Sequence, residues 1–219
     1  MNATSSRIPV STTTLTDAVY ESLRQRIANG EIAPGERVTE ARVVGDYSVA
    51  RPTAKACIER LVSTGLLQRA THKSATVTAL TAADVDDLFL ARTTIEDAAA
   101  RRLATSGDVP RAMLEAQHAI DLAGKLDDRT ALVRADMDFH SSMVRASGSE
   151  RLARMHELIT GEILLTIASA GHQSAPIREV AAEHARILDA LRERRVDDAS
   201  TLLIAHLDAA HARVRHAFS

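Results

Sequence analysis

Residues 47–65, YSVARPTAKACIERLVSTG, decide how the first part of the chain folds. The stretch predicts a helix with Ile58 and Leu61 on its inward face. Pro52 falls in the first turn of this helix, where its missing N–H costs nothing. Gly65 stands where a helix commonly ends. The elements on either side show what this helix belongs to.

The preceding segment predicts two more helices. Residues 15–30, LTDAVYESLRQRIANG, place apolar side chains four apart and form an amphipathic helix closed by Gly30. Pro34 and Gly35 then fit the two central positions of a type II turn. Thr39 begins a second, short helix.

The following segment predicts a β-hairpin. Residues 66–70, LLQRA, and 75–79, ATVTA, alternate enough for two short strands around THKS at 71–74. Three helices followed by a hairpin are typical of a winged helix-turn-helix, which we expect to span residues 14–79. A generic small helical scaffold would share this order of elements.

The rest of the chain predicts helices alone. A capping-box-like TAAD at 81–84 begins a long helix, and the sequence has helical punctuation throughout. The further predicted helices are 109–124, 128–147, 150–170, 175–195 and 197–217. Short links imply an antiparallel bundle of six or seven helices over residues 82–217, so the chain as a whole is mainly α. Bundles of this kind build ligand and metal sites in their interior.

Composition limits the class of protein. A single cysteine excludes an internal disulfide framework, and the apolar runs are too short to cross a bilayer. Residues 1–13 are polar and lack an apolar targeting region, so we expect a disordered leader and a cytoplasmic protein. Residues 37–73 hold 7 Lys/Arg against 3 Asp/Glu, a modest excess that suits a polyanion.

Two residues of the bundle have metal-ligand spacing. Asp136 and His140, in DMDFH, stand four apart and share one helix face, whereas Asp138 is turned away. A surface pair, or a core histidine bonded to its neighbour, would have the same spacing.

Two later histidines strengthen the metal hypothesis. His184 and His206 each sit among aliphatic residues, where burying an unpaired imidazole would be costly. If their helices face Asp136 and His140, the result is a site of three histidines and one carboxylate. Such a site suits a divalent transition metal, with zinc as the first expectation and nickel, iron or manganese as alternatives. The other histidines of the bundle are interpreted as solvated or structural: His118, His156, His172, His211 and His216.

The N-terminal part resembles the GntR family of bacterial transcription regulators. The resemblance rests on IANGEIAPGERVTE (27–40), VARPTAKACIERLVSTGLL (49–67) and QRATHKSATV (68–77). It implies that the third helix enters the major groove of double-stranded DNA and that the hairpin lies along the minor groove. The implied DNA-binding residues are Arg42, Arg51, Lys55, His72 and Lys73.

The chain departs from the family pattern within the recognition helix and the wing. Ala50 lacks a capping hydroxyl, Ala56 replaces an acid, and Ser74 replaces the wing glycine. Lys55 stands where the family has arginine, and lysine cannot contact guanine in the bidentate manner of arginine. The resemblance therefore implies the fold and DNA binding, but it does not define the operator sequence. Arg51 and Lys55 lie one turn apart and share a face, as base and phosphate contact requires.

The C-terminal part resembles the FCD ligand-binding domain of the FadR-type branch. The resemblance rests on LARTTIEDAAARRLA (90–104), ADMDFHSSMVRASGSERL (135–152) and EHARILDALRERRVDDASTLLIAHL (183–207). It implies a metal held by the same Asp and three His. It also implies that Arg92 points inward and pairs with an effector carboxylate, although a salt bridge to Glu96 is the simpler alternative.

The leading hypothesis is a homodimeric repressor, not an enzyme, that binds a palindromic operator. A small organic acid at the metal would control its operator affinity. The alternatives are a metal-dependent hydrolase, a metal sensor or a purely structural ion. For the hydrolase, Glu183 is the one nearby acid, and its position beside His184 predicts that it faces away from the site.

Overall fold

The computed structural model describes residues 14–69, 74–170 and 176–218. The first of these segments contains three helices whose order and positions agree with the sequence prediction. They are α1 (Leu15–Ala28), α2 (Glu40–Tyr47) and α3 (Arg51–Ser63). Beyond residue 80, the part of the chain that the structure describes contains helices and no strand. The prediction of a mainly α protein with a winged helix-turn-helix is thus confirmed.

Local chemistry explains where these helices begin. The Thr14 side chain accepts a hydrogen bond from the backbone N–H of Asp17, and the Asp17 carboxylate accepts one from the backbone N–H of Thr14, which completes a capping box. Thr39 caps α2 in the same way, with its side chain accepting from the N–H of Arg42. Ala50 precedes α3 without any side-chain cap, as its lack of a hydroxyl predicted. The predicted type II turn is present, since Gly35 has a φ of +79° and the N–H of Glu36 donates to Ala33 across 3.0 Å.

The hairpin is part of a three-stranded sheet. Strands β2 (Leu67–Gln68) and β3 (Ala75–Val77) pair antiparallel, as predicted. A further strand, β1 (Arg37–Val38), pairs with β3 on its other side and gives the order β1-β3-β2. The sequence prediction missed β1 because two residues are too few to show an alternating pattern. The hairpin tip, with the candidate residues His72 and Lys73, lies outside the described residues, as does the predicted disordered leader.

Among the described residues, six helices form the C-terminal bundle. They are α4 (Ala82–Ser106), α5 (Arg111–Leu126), α6 (Arg129–Ala146), α7 (Glu150–Ala170), α8 (Ile177–Arg192) and α9 (Val196–Arg215), followed by a 3₁₀ turn at His216–Phe218. Helix α4 packs against α6, α7, α8 and α9 and therefore forms the centre of the bundle. No helix among the described residues is long and apolar enough to cross a membrane.

Helix α7 joins the bundle to the winged helix-turn-helix. Its Ile163, Leu164 and Leu165 are buried in the same apolar cluster as Leu23 of α1 and Ile58 of α3. The backbone of α7 and the backbone that follows α3 come still closer at Gly161. The N–H of Gly161 donates to the carbonyl of Thr64 across 2.7 Å. A Cβ on Gly161 would lie 2.3 Å from the backbone N of Leu66, so only glycine fits this contact.

Candidate metal centre

Four buried side chains converge in the interior of the bundle. Asp136 and His140 come from one face of α6, His184 from α8 and His206 from α9. One donor atom from each residue lies within 4.8 Å of the other three. The structure therefore brings together the four residues that the sequence analysis selected, from three separate helices.

The other ring nitrogen of each histidine has a hydrogen-bond acceptor. Nδ1 of His140 lies 2.6 Å from Oε2 of Glu96, and Nδ1 of His206 lies 2.7 Å from Oε2 of Glu183. Nδ1 of His184 lies 2.8 Å from the carbonyl of Val180. A carbonyl or a carboxylate can only accept, so each Nδ1 carries the proton. Each Nε2 is then left with a lone pair, which is the form that a metal requires.

The lone pairs of His140 and His184 face each other, and a donor atom of His206 lies within 4.8 Å of both. Nε2 of His140 and Nε2 of His184 are 3.3 Å apart, and Oδ1 of Asp136 is 3.2 Å from the latter. Lone pairs facing each other at this distance repel, whereas a cation between them would be bound by all three and by the carboxylate. The donor set and its hydrogen bonds thus fit a divalent transition metal.

Burial and neighbouring charges shift the pKa values of these groups. Burial lowers the pKa of His206 to about 4, and the neighbouring His184 acts in the same direction. Burial also lowers the pKa of His140. Burial alone would raise the pKa of Asp136, but the neighbouring His184, His140 and Arg92 hold it below its usual range. The shifts therefore favour the neutral imidazoles of His140 and His206 and the ionised carboxylate of Asp136.

A buried ionic cluster supports the centre from α4 and α7. Arg92 is 2% exposed and Glu96 is fully buried, and Nε of Arg92 donates to Oε1 of Glu96 across 2.8 Å. His156 of α7 lies with its Nε2 3.2 Å from the same oxygen. Glu96 thus contacts Arg92, His140 and His156 together. The salt bridge between Arg92 and Glu96, which their i, i+4 spacing suggested, is therefore present.

Glu183 differs from its sequence prediction. It stands beside His184 and does not reach the donor atoms, but its carboxylate holds His206 on the neighbouring helix. The expectation that it faces away from the site was wrong because it considered only its own helix. With its carboxylate bonded to His206, Glu183 orients a candidate ligand.

A cavity of about 80 Å³ opens beside the candidate ligands. Asp136 and His206 line it, and so does Arg92, even though Arg92 is paired with Glu96. The remaining wall is largely aliphatic. A small molecule in this cavity would therefore reach both the metal centre and the Arg92 guanidinium.

The remaining histidines lie apart from this centre. His118 and His216 are exposed, and His211 bonds to Asp86 while stacking on Phe89. His172 lies outside the described residues.

The candidate DNA-binding residues occupy different surroundings. Arg51 is exposed at the start of α3, with no hydrogen bond or ion pair among the described residues, and Lys55 pairs weakly with Glu59 at 3.7 Å. Arg42 is held within the domain, because its Nη1 contacts Glu36 at 2.6 Å. Of the three, Arg51 and Lys55 are the ones that present their charge outward from the recognition helix.

Comparison with known families assigns both parts of the chain. Residues 15–77 match the family of bacterial regulatory proteins called gntR, and residues 87–209 match the FCD domain. The chain therefore belongs to the GntR family of transcription regulators, in the branch that carries an FCD domain.

Individual relatives agree with this assignment. The chain is 24% identical over 206 residues to YdhC of Bacillus subtilis, an HTH-type transcriptional regulator, covering 90% of this chain and 89% of that one. It is 24% identical to the transcriptional repressor NanR of Citrobacter rodentium, covering 93% and 86%. A crystal structure from Rhodococcus sp. RHA1, assigned to the GntR regulators, superposes with a TM-score of 0.75 at 25% identity, covering 93% and 99%. These relatives are regulators of transcription and not enzymes.

Proposed function

We propose that this GntR regulator is a homodimeric, metal-containing repressor whose operator affinity is controlled by a small carboxylic acid. The observation that carries the proposal is the convergence of four buried donor atoms within 4.8 Å beside a cavity. The three tautomers set by Glu96, Glu183 and the carbonyl of Val180 favour a metal there over a purely structural hydrogen-bond network.

The four residues would hold the ion and leave room for a further ligand. Asp136, His140, His184 and His206 supply four donors, so an octahedral zinc, nickel, iron or manganese ion keeps open positions. Such an ion supplies a Lewis-acidic position for a carboxylate oxygen. Arg92 lines the same cavity, and its planar guanidinium suits a carboxylate.

Helix α7 offers a physical route from this site to the DNA-binding domain. At one end of the route His156 touches Glu96, which in turn holds His140. At the other, Gly161 contacts the backbone of Thr64 directly after α3. A ligand that favours one packing of α4, α6 and α7 would therefore change the placement of α3. Regulation requires that the ligand bind one arrangement better than the other.

The DNA side of the proposal rests on the recognition helix. Arg51 and Lys55 would contact base edges and phosphates in the major groove, with His72 and Lys73 of the wing along the minor groove. Two copies related by a two-fold axis would present two such helices to a palindromic operator. Arg42 contributes mainly by fixing α2 against Glu36.

Two measurements on one preparation test the proposal. Elemental analysis of the protein as purified should find about one transition-metal ion per chain. An operator selected from random duplex oligonucleotides should then be released, in a gel-shift titration, by one or more acids from a panel of small carboxylates. Protein stripped with a chelator should no longer respond to the acid.

Three outcomes would contradict parts of the proposal. If the purified protein contained no transition metal, the proposed metal centre would be refuted. If the protein hydrolysed carboxylic esters and His140→Ala abolished this turnover, an enzyme would be favoured. Release of DNA by the ion alone, with no acid effect, would identify a metal sensor. Arg92→Lys keeps the charge but not the guanidinium fork, so an unchanged acid affinity in this variant would remove Arg92 from the effector site.

A further inference from the structure

The cavity beside the metal centre contains two more guanidinium groups. Arg129 lies on α6, seven residues before the candidate ligand Asp136, and Arg213 lies on α9, seven residues after the candidate ligand His206. Seven residues are two helical turns, or roughly 10 Å along each helix. The two arginines therefore line the part of the cavity that is remote from the candidate metal ligands.

These two arginines have no carboxylate of their own. Arg92 is paired with Glu96, whereas neither Arg129 nor Arg213 has an ion pair within 4.0 Å among the described residues. No Asp or Glu occurs among the undescribed residues 1–13, 70–73, 171–175 and 219. Glu183 attracts Arg213 electrostatically beyond ion-pair distance, but its carboxylate is hydrogen-bonded to His206. Both guanidinium groups are half-buried, so an unpaired charge there is only partly solvated.

The rest of the cavity lining is largely hydrocarbon. Leu132, Val133, Val180 and Val214 line it, together with Ile167. An apolar wall accommodates methylene groups and offers no hydrogen bond to hydroxyls along a sugar or a hydroxy acid. The cavity thus combines an apolar lining with guanidinium groups on α6 and α9 that come from positions two helical turns away from the candidate metal ligands.

We infer that the effector is a dianion: one carboxylate at the metal and Arg92, a hydrocarbon body, and a second anionic group bound by Arg129 and Arg213. This inference rests on the function proposed above and adds the chemical class of the ligand. A divalent ion and the three arginines would carry five positive charges, against three negative charges on Asp136, Glu96 and Glu183. Two positive charges are then uncompensated around the cavity, and a dianion balances them. Arg129 and Arg213 are then the residues that distinguish a dianion from a monoacid of the same length.

Matched pairs of ligands test the inference on the metal-loaded protein. Isothermal titration calorimetry would compare glutarate with pentanoate, adipate with hexanoate, and pimelate with heptanoate. At least one dicarboxylate should bind about tenfold more tightly than its monoacid, the gain expected for one added charge-assisted contact. The ω-phosphono acids of the same lengths would show whether the second group is a carboxylate or a phosphate, because the tighter of the two series identifies it.

Variants of the two arginines give the second readout. Arg129→Gln and Arg213→Gln should each reduce the preference for the dianion while leaving monoacid affinity, metal content and melting temperature unchanged. Arg178→Gln is the matched control, since Arg178 is exposed on α8 and does not line the cavity. The double variant should bind a dianion and its monoacid equally.

The outcomes separate this inference from the function on which it rests. Equal affinity for monoacid and dianion in the wild type would overturn the inference and leave an acid-responsive regulator. Equal losses for both ligand types in the arginine variants would also overturn it. A metal-loaded protein that binds no acid of any length would overturn the inference and the proposed function together.

Discussion

The carboxylate of Glu183 lies 2.7 Å from Nδ1 of His206, although Glu183 is the chain neighbour of another candidate ligand, His184. One short segment of α8 thus supplies a donor to the centre and also orients the donor that comes from α9. The hydrogen bond fixes the ring and its tautomer, and it raises the basicity of Nε2. Metal affinity should therefore depend on a residue that does not touch the metal.

Replacing Glu183 should weaken metal binding without removing a ligand. We expect Glu183→Ala to lower the affinity for zinc by about 10- to 100-fold, as is typical for loss of such a partner. Competition against a fluorescent chelator would measure it. Glu179→Ala, an exposed acid on the same helix, is the control and should bind zinc as the wild type does.

Removing a ligand should lower both metal content and stability. His184→Ala or His206→Ala should purify with less metal and melt at a lower temperature. A bound ion at a hundredfold excess over its Kd contributes about 2.7 kcal/mol to the free energy of unfolding. Chelator should destabilise the wild type but not the variants. The exposed His118 provides His118→Ala as a control, and full metal occupancy in both ligand variants would refute the four-residue centre.

The metal-free protein should lose stability as the medium becomes acidic. Burial lowers the pKa of His206 from 6.5 to about 4, so the unfolded chain takes up a proton in this window that the folded protein does not. The contribution of His206 to the free energy of unfolding is therefore fully present above about pH 6.5. It is lost as the pH falls towards about 4, by on the order of 3 kcal/mol.

Denaturant titrations of the chelated protein at a series of pH values would measure this loss. The same series on His206→Gln should show a shallower decline, because glutamine does not titrate. Identical slopes in the two proteins would place the acid sensitivity elsewhere. His140, whose pKa burial also lowers, contributes in the same direction in both proteins.

Arg51 should contribute directly to operator binding. It is exposed at the first turn of α3 and free of intramolecular pairs among the described residues. Arg51→Ala should cost about 1–3 kcal/mol of binding free energy, the value of one good base or phosphate contact. Fluorescence anisotropy at fixed salt would measure it. As a control, Arg154→Ala, which changes an exposed arginine on α7, should leave the operator affinity unchanged. If Arg51→Ala bound the operator as tightly as the wild type, Arg51 would be excluded from the DNA contact.

A methyl group at Gly161 should disturb the joint between the two domains. Its Cβ would lie 2.3 Å from Leu66 N and 2.5 Å from Thr64 O, and backbone atoms cannot yield as a flexible side chain can. We expect Gly161→Ala to cost about 1–3 kcal/mol of unfolding free energy. Gly124→Ala, in α5, has its nearest contact at 3.7 Å and should be neutral or stabilising by up to about 1 kcal/mol. Equal denaturation midpoints for the two variants would contradict the close approach.

Local sequence predicted the helices and the four donors, because both leave local traces. Helix caps, prolines and glycines mark the ends of elements, and His184 and His206 stand among aliphatic residues that must face inward. The short strand β1 left no such trace. It exists only because β3 pairs with it.

Residues that support the centre were harder to find because their contacts are non-local. The pair of Arg92 with Glu96 follows from helical spacing, but Glu96 also bonds to His140, 44 residues further along the chain. His156 and Glu183 reach their partners only once α7 lies against α4 and α8 against α9. Nothing in the local pattern around either residue indicates which helix it will face.

The backbone-to-backbone contact at Gly161 has a practical meaning for anyone who wishes to build hybrid regulators from this protein. If the winged helix-turn-helix were fused to the helical domain of another regulator, it would meet a side chain at the position equivalent to Gly161. The transplanted domain would then dock at a different angle. Hybrid proteins should therefore include α7 together with the winged helix-turn-helix, or introduce a glycine at the equivalent position of the other regulator, if the contact between the two domains is to be kept.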